Sequence, residues 1–447
     1  MQADPNADRT AGPSRRAAAV EYGFLALGWL ALVLGPHAVG GDGAVRFQAL
    51  DNLFLRGRVP STRYSLVGPL LSAPLWLAGR LGPDEHFWCA RYNLVVFTAG
   101  LWLLYRLLGD VARPEVRRRF LLLLVFASMF PHHQQDYYGE VFTAVLVGVG
   151  TLALAVRPGV AAWACVVLGV ANTPASMVGL LLAGGYALLA TRRWRWALLL
   201  PACAALVLLE ALLRRGSVLA TDYEGDHGFV TVLPYSGLPG FSYPLFFGVL
   251  GLLLSFGKGL LFFAPGTFLP LAPDAEPRLR FIHRLWLLFV AGLVLVYARW
   301  WAWYGGWSWG PRFLLFASLP ASLALASSLG GAAGQSLGKN VATLLMLALS
   351  FWVGANGQLC GQANLGLCTE NDYALEHLCW YVPEFSALWR PFVVLGPVPW
   401  EAVVVLLLWT ACFLYLALPL ARVCLRQGSE AARAWWRARP EGDRWRL

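Results

Sequence analysis

Long apolar runs recur along this chain from residue 22 to residue 420, and short polar stretches separate them. Most of the runs approach the length that an α-helix needs to cross a bilayer, about 17–25 residues. The runs are continuous, whereas the strands of a membrane β-barrel alternate apolar and polar residues. The pattern therefore predicts an all-α polytopic membrane protein.

About twelve spans are expected, and the first runs from Tyr22 to about Val39. The others are expected at residues 92–109, 118–131, 141–157, 160–173, 175–191, 196–213, 257–273, 284–299, 313–330, 340–355 and 400–420. The apolar stretch at residues 68–77 is short and contains Pro69 and Pro74, so we expect it to lie in the membrane interface.

Basic residues predict the orientation. Arginine is concentrated in short loops, such as Arg192-Arg193-Trp194-Arg195, and in the C-terminal tail. Basic loops stay on the cytoplasmic side, so both termini are expected there, in a bacterial inner membrane. Residues 1–21 are expected to be a disordered cytoplasmic leader, and residues 421–447 a basic cytoplasmic tail. The net charge of +10 then reflects orientation in the membrane and not nucleic-acid binding.

With this orientation, most ionisable residues that are not arginines fall in five outer loops, at residues 41–91, 131–140, 214–243, 300–312 and 356–399. A channel or a structural protein has little use for carboxylates and histidines pooled on one face, whereas a catalytic site does. Cys360, Cys368 and Cys379 share the last loop, and two of the three can form a disulfide if that loop faces an oxidising compartment. The sequence leaves open which two.

The stretch from His132 to Glu140 is a candidate metal or substrate site. Asp136 and Glu140 are four residues apart, so they share a face of a helix. No complete set of metal ligands is spelled out beside His132 and His133, so we assign the two carboxylates to substrate binding and the histidines to the loop. A divalent metal is compatible with this site but not indicated. The acidic run at residues 222–227 either binds an acceptor or is a solvated loop.

The most unusual stretch, residues 298–313, reads ARWWAWYGGWSWGPRF. Tryptophans in such number are typical of a membrane interface. The glycines and the proline before Arg312 add a tight turn beside a guanidinium, an arrangement suited to binding a phosphate. The aromatic faces next to it would suit a sugar ring or an isoprenoid chain.

This stretch, extended to Pro320, resembles the YGGWSWGPRYLLPALP segment of bacterial C-type (GT-C) glycosyltransferases, in particular the protein O-mannosyltransferase and aminoarabinose transferase group. Other motifs agree in the right order. Asp42 to Leu50 resembles the acidic first-loop motif, and Arg46 lies where an arginine commonly follows it. Gly68-Pro69-Leu70-Leu71 resembles an interfacial helix of these enzymes, and Ala90-Arg91-Tyr92-Asn93 resembles the start of their second span. Gly251 to Pro265 is similar to a further segment of the group. The usual second acidic residue of the first motif is Gly43 here.

The resemblance implies a GT-C-like transmembrane bundle over residues 22–420, with outer-face loops and interfacial helices. It implies an enzyme that moves a sugar from a polyprenyl-phosphate carrier to a lipid, glycan or protein acceptor at the outer face. In an inverting transfer, one carboxylate deprotonates the acceptor and cations stabilise the leaving phosphate. We expect Asp42 as the base, Arg46, Arg63, Lys258 and Arg312 at the phosphate, and Tyr64, Asp136, Glu140, Trp303, Tyr304 and Trp307 at the sugar, acceptor or lipid.

Other interpretations stay open for single residues and for the whole chain. Asp42 lies between glycines, which is also ordinary turn chemistry, and Lys258 is also typical of an interfacial lysine. A transporter or flippase for a glycolipid or another envelope precursor is the alternative function. Such proteins place charges near the bilayer midplane and have two related halves, and the sequence shows neither. No phosphate-binding loop of the GxxxxGK[ST] type is present, which argues against nucleotide hydrolysis.

Overall fold

The computed structural model describes residues 15–82, 84–218, 220–223, 225–306, 308–361, 366, 368–394 and 396–438. Over these residues the chain is helical, and β-structure is limited to two isolated bridges, Ala38 with Asp136 and His227 with Pro239. The α-helices, numbered in chain order, are α1 (Arg15–Leu34), α2 (Asp42–Phe54), α3 (Val67–Leu81), α4 (Glu85–Ala90), α5 (Tyr92–Leu107), α6 (Pro114–Phe126), α7 (Phe130–His133), α8 (Glu140–Val156), α9 (Val160–Asn172), α10 (Met177–Thr191), α11 (Arg195–Arg215), α12 (Leu245–Leu254), α13 (Leu260–Phe263), α14 (Pro277–Tyr297), α15 (Ser318–Gly330), α16 (Leu337–Leu359), α17 (Glu376–Tyr381), α18 (Arg390–Val393) and α19 (Trp400–Ala438).

Within the described residues, eight helical segments are long and apolar enough to cross a membrane. They are Arg15–Leu34, Glu85–Asp110, Pro174–Thr191, Arg195–Arg215, Pro277–Tyr297, Arg312–Gly330, Leu337–Leu359 and Trp400–Arg437. Three shorter apolar helices, α8, α9 and α12, accompany them. The predicted all-α polytopic membrane protein is confirmed, and the apolar stretch at residues 68–77 forms the short helix α3.

The span predicted at residues 257–273 is wrong, because the chain is not one helix there. The apolar helix lies earlier, as α12, and after it come the four-residue α13 and a 3₁₀ turn at Pro265–Phe268. Gly257 explains the break, since its amide donates to the carbonyl of Trp380 at 2.9 Å. A Cβ at Gly257 would lie 2.0 Å from the carbonyl oxygen of Cys379, so only glycine allows this approach.

Residues 15–21, expected to be disordered, form the first turns of α1 instead. Glu21 explains this order, because it is fully buried and forms one ion pair with Arg118 and another with Arg119. A carboxylate out of water needs such cationic partners, and they fix this end of α1 against α6. At the other terminus, α19 continues without interruption from the last apolar run to Ala438. Residues 1–14 and 439–447 lie outside the described residues.

The centre of the bundle is α15. Residues 318–329 are all buried, and α15 packs against α6, α14 and α16. Its sequence is rich in serine and alanine, small residues that let helices approach closely in a membrane. Small residues also let α10 and α14 approach closely, since a Cβ on Gly292 would lie 2.5 Å from Cα of Gly179.

The connections between helices gather at two ends of the bundle. The loop face consists of the described residues within 35–66, 127–139, 216–244, 298–311 and 360–399. These segments contact one another; for example, the Ala38 amide donates to the Gln135 carbonyl at 2.9 Å. The basic end consists of residues 108–119, 157–159, 192–195 and 273–284. Ion pairs connect its parts, Arg157 with Asp110 at 2.6 Å and Arg113 with Asp274 at 2.8 Å.

Candidate active site at the loop face

Asp42 is the first residue of α2, so its carboxylate lies at the positive end of the helix dipole. Gly41 before it adopts a φ of 49°, a left-handed value that glycine takes without strain. The Asp42 Oδ2 atom accepts a hydrogen bond from Arg312 Nη1 at 2.7 Å. The two side chains keep 28% and 13% of their surface exposed, so the pair is accessible from outside but largely enclosed.

Arg312 brings a second carboxylate to the same place. Its Nε atom lies 3.7 Å from Oε1 of Glu140, the first residue of α8, and this buried Nε has no hydrogen-bond partner. The guanidinium lies 5.3 Å from the ring centre of Tyr138. Gly305 makes room for the arginine, because a Cβ there would lie 2.9 Å from Arg312 Cγ. The glycine-rich turn thus positions Arg312 between two loops that carry carboxylates.

Arg46 lies one turn after Asp42 on the same helix, and it is buried. Its Nη1 donates to Oδ1 of Asn172 at 3.3 Å, and its guanidinium lies 5.0 Å from the ring centre of Tyr64. Its buried Nε has no hydrogen-bond partner. Two guanidiniums, on Arg46 and Arg312, therefore flank Asp42, and each has an N–H group left without an acceptor.

The electrostatics keep Asp42 ionised. Burial acts to raise the pKa of the Asp42 carboxyl, but the charge of Arg312, hydrogen bonds from Tyr64 and Arg312, and the charge of Arg46 bring it below its ordinary value. Burial, the charge of Asp42 and the hydrogen bond to it raise the pKa of the Tyr64 phenol, so Tyr64 stays a hydrogen-bond donor.

Asp136 has the opposite environment. Burial and the nearby charge of Glu140 raise its pKa to about 6. Its backbone is fixed by the bridge to Ala38 and by the Asn93 amide, which donates to the Asp136 carbonyl at 2.5 Å. Asp42 and Asp136 both interact with Arg312 and Tyr138, and their pKa values are shifted in opposite directions, as is common in catalytic sites.

The histidines beside Asp136 belong to the packing. His132 is buried, its Nδ1 lies 3.1 Å from the Gly357 carbonyl oxygen, and its ring centre lies 4.8 Å from that of Trp309. Burial lowers the pKa of His132 to about 4, so the ring is neutral. Its Nε2 is 4.0 Å from Oδ2 of Asp136. In the described part of the chain, no three His, Cys, Asp or Glu side chains are placed to hold a metal ion.

Lys258 lies beneath the 298–311 connection. Its buried ammonium donates to the carbonyl oxygens of Gly306 at 3.0 Å, Ser308 at 2.5 Å and Gly310 at 3.1 Å. Burial lowers its pKa to about 7, with a smaller contribution from the charge of Arg312. All three ammonium donors are thus engaged by the turn that leads to Arg312, so this geometry does not present Lys258 to a phosphate as the sequence led us to expect.

Trp303 and Tyr304, predicted to line a sugar or lipid pocket, are buried in the packing of the loops. The Tyr304 ring stacks on Trp380 with 3.9 Å between ring centres, and its hydroxyl donates to Oε1 of Glu376 at 2.8 Å. Trp303 contacts Trp380 and Tyr381. Their position supports the turn before Arg312 rather than an open pocket. Trp307 lies outside the described residues.

Arg63 binds the neighbouring loop. Its Nη1 lies 2.9 Å from Oδ2 of Asp226, and its guanidinium lies 5.5 Å from the ring centre of Tyr223. The acidic run at residues 222–227 is therefore partly neutralised, since Asp222 also pairs with Arg215 at 3.3 Å. Tyr64, next to Arg63, is the link from this loop to Asp42.

Three residues that contact the cluster were missed by sequence reasoning. Tyr138 packs against Arg312, Asn172 binds Arg46, and Glu376 binds Tyr304. The sequence did contain a signal for Asn172, because it is a polar residue in the Asn-Thr-Pro that follows an apolar run and ends α9. Glu376 carried none, because its partner is 72 positions away in the chain.

Of the three cysteines of the last loop, Cys368 and Cys379 form a disulfide, and their Cα atoms are 6.0 Å apart. The bond closes the segment that carries Glu376. It thereby fixes α17 against Gly257 and Tyr304, beneath the turn that positions Arg312.

No family model and no curated protein sequence matches the chain. Among solved structures, the chain matches the crystal structure of ArnT from Cupriavidus metallidurans bound to undecaprenyl phosphate. The match covers 95% of this chain and 80% of that one, with a TM-score of 0.50 and 13% sequence identity. The fold is ArnT-like. The likeness to ArnT confirms the GT-C resemblance drawn from the motifs, and at this identity it concerns the fold alone.

Proposed function

We propose that this protein is a glycosyltransferase that moves a sugar from a polyprenyl-phosphate carrier to an envelope acceptor at the outer face of the cytoplasmic membrane. The observation that carries the proposal is the ion pair of Asp42 with Arg312, 2.7 Å long, among Glu140, Asp136 and Arg46 at the loop face. The ArnT neighbour was crystallised with undecaprenyl phosphate, which supports a lipid-linked donor.

The proposed chemistry uses the two members of the ion pair separately. The donor phosphate takes the place of Asp42 at Arg312, and the unpaired N–H of Arg46 is a second donor to it. Asp42, freed from its cation, becomes a stronger base and accepts the proton of the acceptor hydroxyl. The acceptor oxygen bonds to the anomeric carbon, and the bond from that carbon to the phosphate oxygen breaks. The guanidiniums stabilise the charge that develops on the leaving phosphate.

Two features support an outward-facing site. The disulfide of Cys368 and Cys379 belongs to the loop face, and disulfides persist in oxidising compartments. The opposite, basic end carries Arg113, Arg157 and Arg192, in keeping with the rule that basic loops stay in the cytoplasm. With this orientation, α1 and α19 begin and end the bundle on the cytoplasmic side.

The test is sugar transfer by the purified protein in lipid vesicles, with a panel of radiolabelled polyprenyl-phosphate sugars and an envelope extract as acceptor. We expect transfer from one donor, and a loss of about 10²–10⁴-fold in Asp42→Asn, the range that a general base contributes. The matched control is Asp51→Asn on the same helix, whose carboxylate accepts only from Trp76 Nε1 among the described contacts, at 3.0 Å. This control is expected to keep its activity.

The alternatives give different results. If Asp42→Asn transfers sugar as well as the wild type, Asp42 is not the base, and Asp136 and Glu140 become the next variants. If no donor supports transfer but vesicles containing the protein move a labelled glycolipid across the bilayer, the chain is a flippase and the proposal fails.

A further inference from the structure

A cavity of about 470 Å³ lies at the basic end of the bundle, away from the candidate active site. It is lined by the connection between α10 and α11, by the start of α11 and by parts of α8 and α9. The helix α8 separates the two places, because Glu140 begins it and Pro158 follows its end. Its 17 residues span about 25 Å at 1.5 Å per residue.

Three arginines line this cavity without a counter-charge. Arg192, Arg193 and Arg195 are exposed, and none of them forms an ion pair with any residue that the structure describes. The lining contains no aspartate or glutamate. The backbone helps to concentrate this charge, since Arg192 ends α10 with a left-handed φ of 53° and the chain turns directly into α11. Guanidiniums grouped in this way bind phosphate groups through paired N–H donors.

The rest of the lining and its surroundings are suited to a lipid. Trp163, Trp194 and Trp196 belong to the cavity, and tryptophan is the residue typical of the boundary between headgroups and acyl chains. Apolar side chains close in sequence to the lining are exposed, Val160 by 87% and Leu189 by 81%. A soluble phosphate has no use for this surface, whereas acyl chains cover it.

We propose that this cavity binds the phosphate headgroup of an anionic phospholipid, with Arg192, Arg193 and Arg195 around the phosphate and the acyl chains along the exposed faces of α9 and α10. Basic pockets between membrane helices have the chemistry needed for such headgroups. A lipid held here would join the ends of α8, α9, α10 and α11. The inference is independent of the proposed sugar transfer, because no residue of the loop face takes part.

The test is native mass spectrometry of the full-length protein, titrated in detergent with phosphatidylglycerol or with phosphatidylcholine. We expect a bound phosphatidylglycerol that survives in the gas phase. In the triple variant Arg192→Gln, Arg193→Gln, Arg195→Gln, its affinity should fall about a hundredfold, because each arginine near a lipid phosphate contributes roughly fivefold. The variant with lysines at these three positions keeps the charge but loses the paired N–H donors, so its affinity should lie between those of the wild type and the glutamine variant.

The matched control removes the same charge from α19, as Arg422→Gln, Arg426→Gln, Arg433→Gln, and should bind phosphatidylglycerol like the wild type. The unfolding midpoint in phosphatidylcholine vesicles checks the fold of each variant, and Arg195→Gln alone, expected to lose about fivefold, replaces the triple variant if that unfolds. Equal losses in both triple variants would show diffuse attraction without a site. Equal affinity for phosphatidylcholine, or displacement by glycerol 3-phosphate at the lipid's own concentration, would overturn the assignment to an anionic lipid.

Discussion

The proposed exchange of partners at Arg312 predicts that removal of the Asp42 carboxylate, the proposed base, strengthens binding of the carrier. In the free protein, Arg312 Nη1 donates to Asp42 at 2.7 Å, and a phosphate must displace this carboxylate to bind there. Asp42→Asn keeps the size of the side chain but removes its charge. Polyprenyl phosphate without a sugar is therefore expected to bind more tightly to Asp42→Asn than to the wild type.

The magnitude follows from the geometry of the pair. A hydrogen bond between charged groups contributes about 1.5–3 kcal/mol. Because Asp42 is 28% and Arg312 13% exposed, solvent screening favours the lower end of that range. About 1.5 kcal/mol corresponds to roughly a tenfold lower Kd. Glu140 remains 3.7 Å from Arg312 Nε, so the guanidinium keeps its position in the variant.

The assay is a binding titration of a short-chain polyprenyl phosphate against the protein in nanodiscs, at low and at high salt. Arg312→Gln should weaken binding, and the double variant should bind no better than Arg312→Gln alone, because the competition no longer exists. Asp51→Asn, on the same helix but bound to Trp76, should leave the Kd unchanged.

The reasoning is refuted if Asp42→Asn binds the carrier as weakly as the wild type or more weakly. Either result would show that the phosphate does not compete with Asp42 for Arg312. The phosphate would then have to bind elsewhere at the loop face, and Asp42 would lose its proposed role as a base that substrate binding releases.

The remaining predictions concern stability. Asp136 has a folded pKa of about 6 against an ordinary 3.8, so its contribution to stability is greatest below pH 3.8 and is lost as the pH rises through 6. At about pH 7.5, Asp136→Asn should therefore melt at a higher temperature than the wild type, with a free energy of unfolding larger by about 3 kcal/mol at most. Near pH 4 the two proteins should melt at the same temperature. Lys258→Gln leaves buried carbonyl oxygens without a donor and should lower the free energy of unfolding, measured by thermal unfolding, by about 3 kcal/mol. A large loss of carrier affinity in a variant of unchanged stability would instead favour phosphate binding by Lys258. Reduction of the disulfide should lower stability by about 2–3 kcal/mol, and mass spectrometry should find Cys368 and Cys379 alkylated only after reduction.

The hydrophobic pattern predicted the fold class and the position of most helices, because a helix in a membrane must satisfy its own backbone and so needs a continuous apolar run. It failed at residues 257–273, where the run is apolar but the helix is broken. Gly257 is there because a distant carbonyl, that of Cys379, comes within contact distance. No local pattern reports on a partner more than a hundred residues away.

In the candidate site, too, some residues could be predicted from the sequence and others could not. Asp42, Arg46 and Arg312 were chosen from the motif resemblance and Glu140 from its spacing to Asp136, and the structure brings all four together. Lys258 was chosen as a cation between two glycines in the segment from Gly251 to Pro265, and neither feature distinguishes an ammonium that binds a ligand from one that donates to backbone carbonyls. Trp303 and Tyr304 were chosen as aromatic residues near a turn, but aromatic side chains bury themselves wherever the fold offers partners.

In the proposed mechanism, the two kinds of carboxyl group, one with a raised and one with a lowered pKa, have different roles. Asp42, Asp136 and Glu140 face Arg46 and Arg312, so the free site holds more acidic than basic groups. A phosphate that enters adds further negative charge. Asp136, with a pKa of about 6, is the group that most readily takes up a proton to offset it. Asp42 has a lowered pKa and stays ionised until the phosphate takes its arginine. In the proposed mechanism the base is therefore inactive without donor, and the acceptor hydroxyl loses its proton only when the phosphate that must leave is already bound.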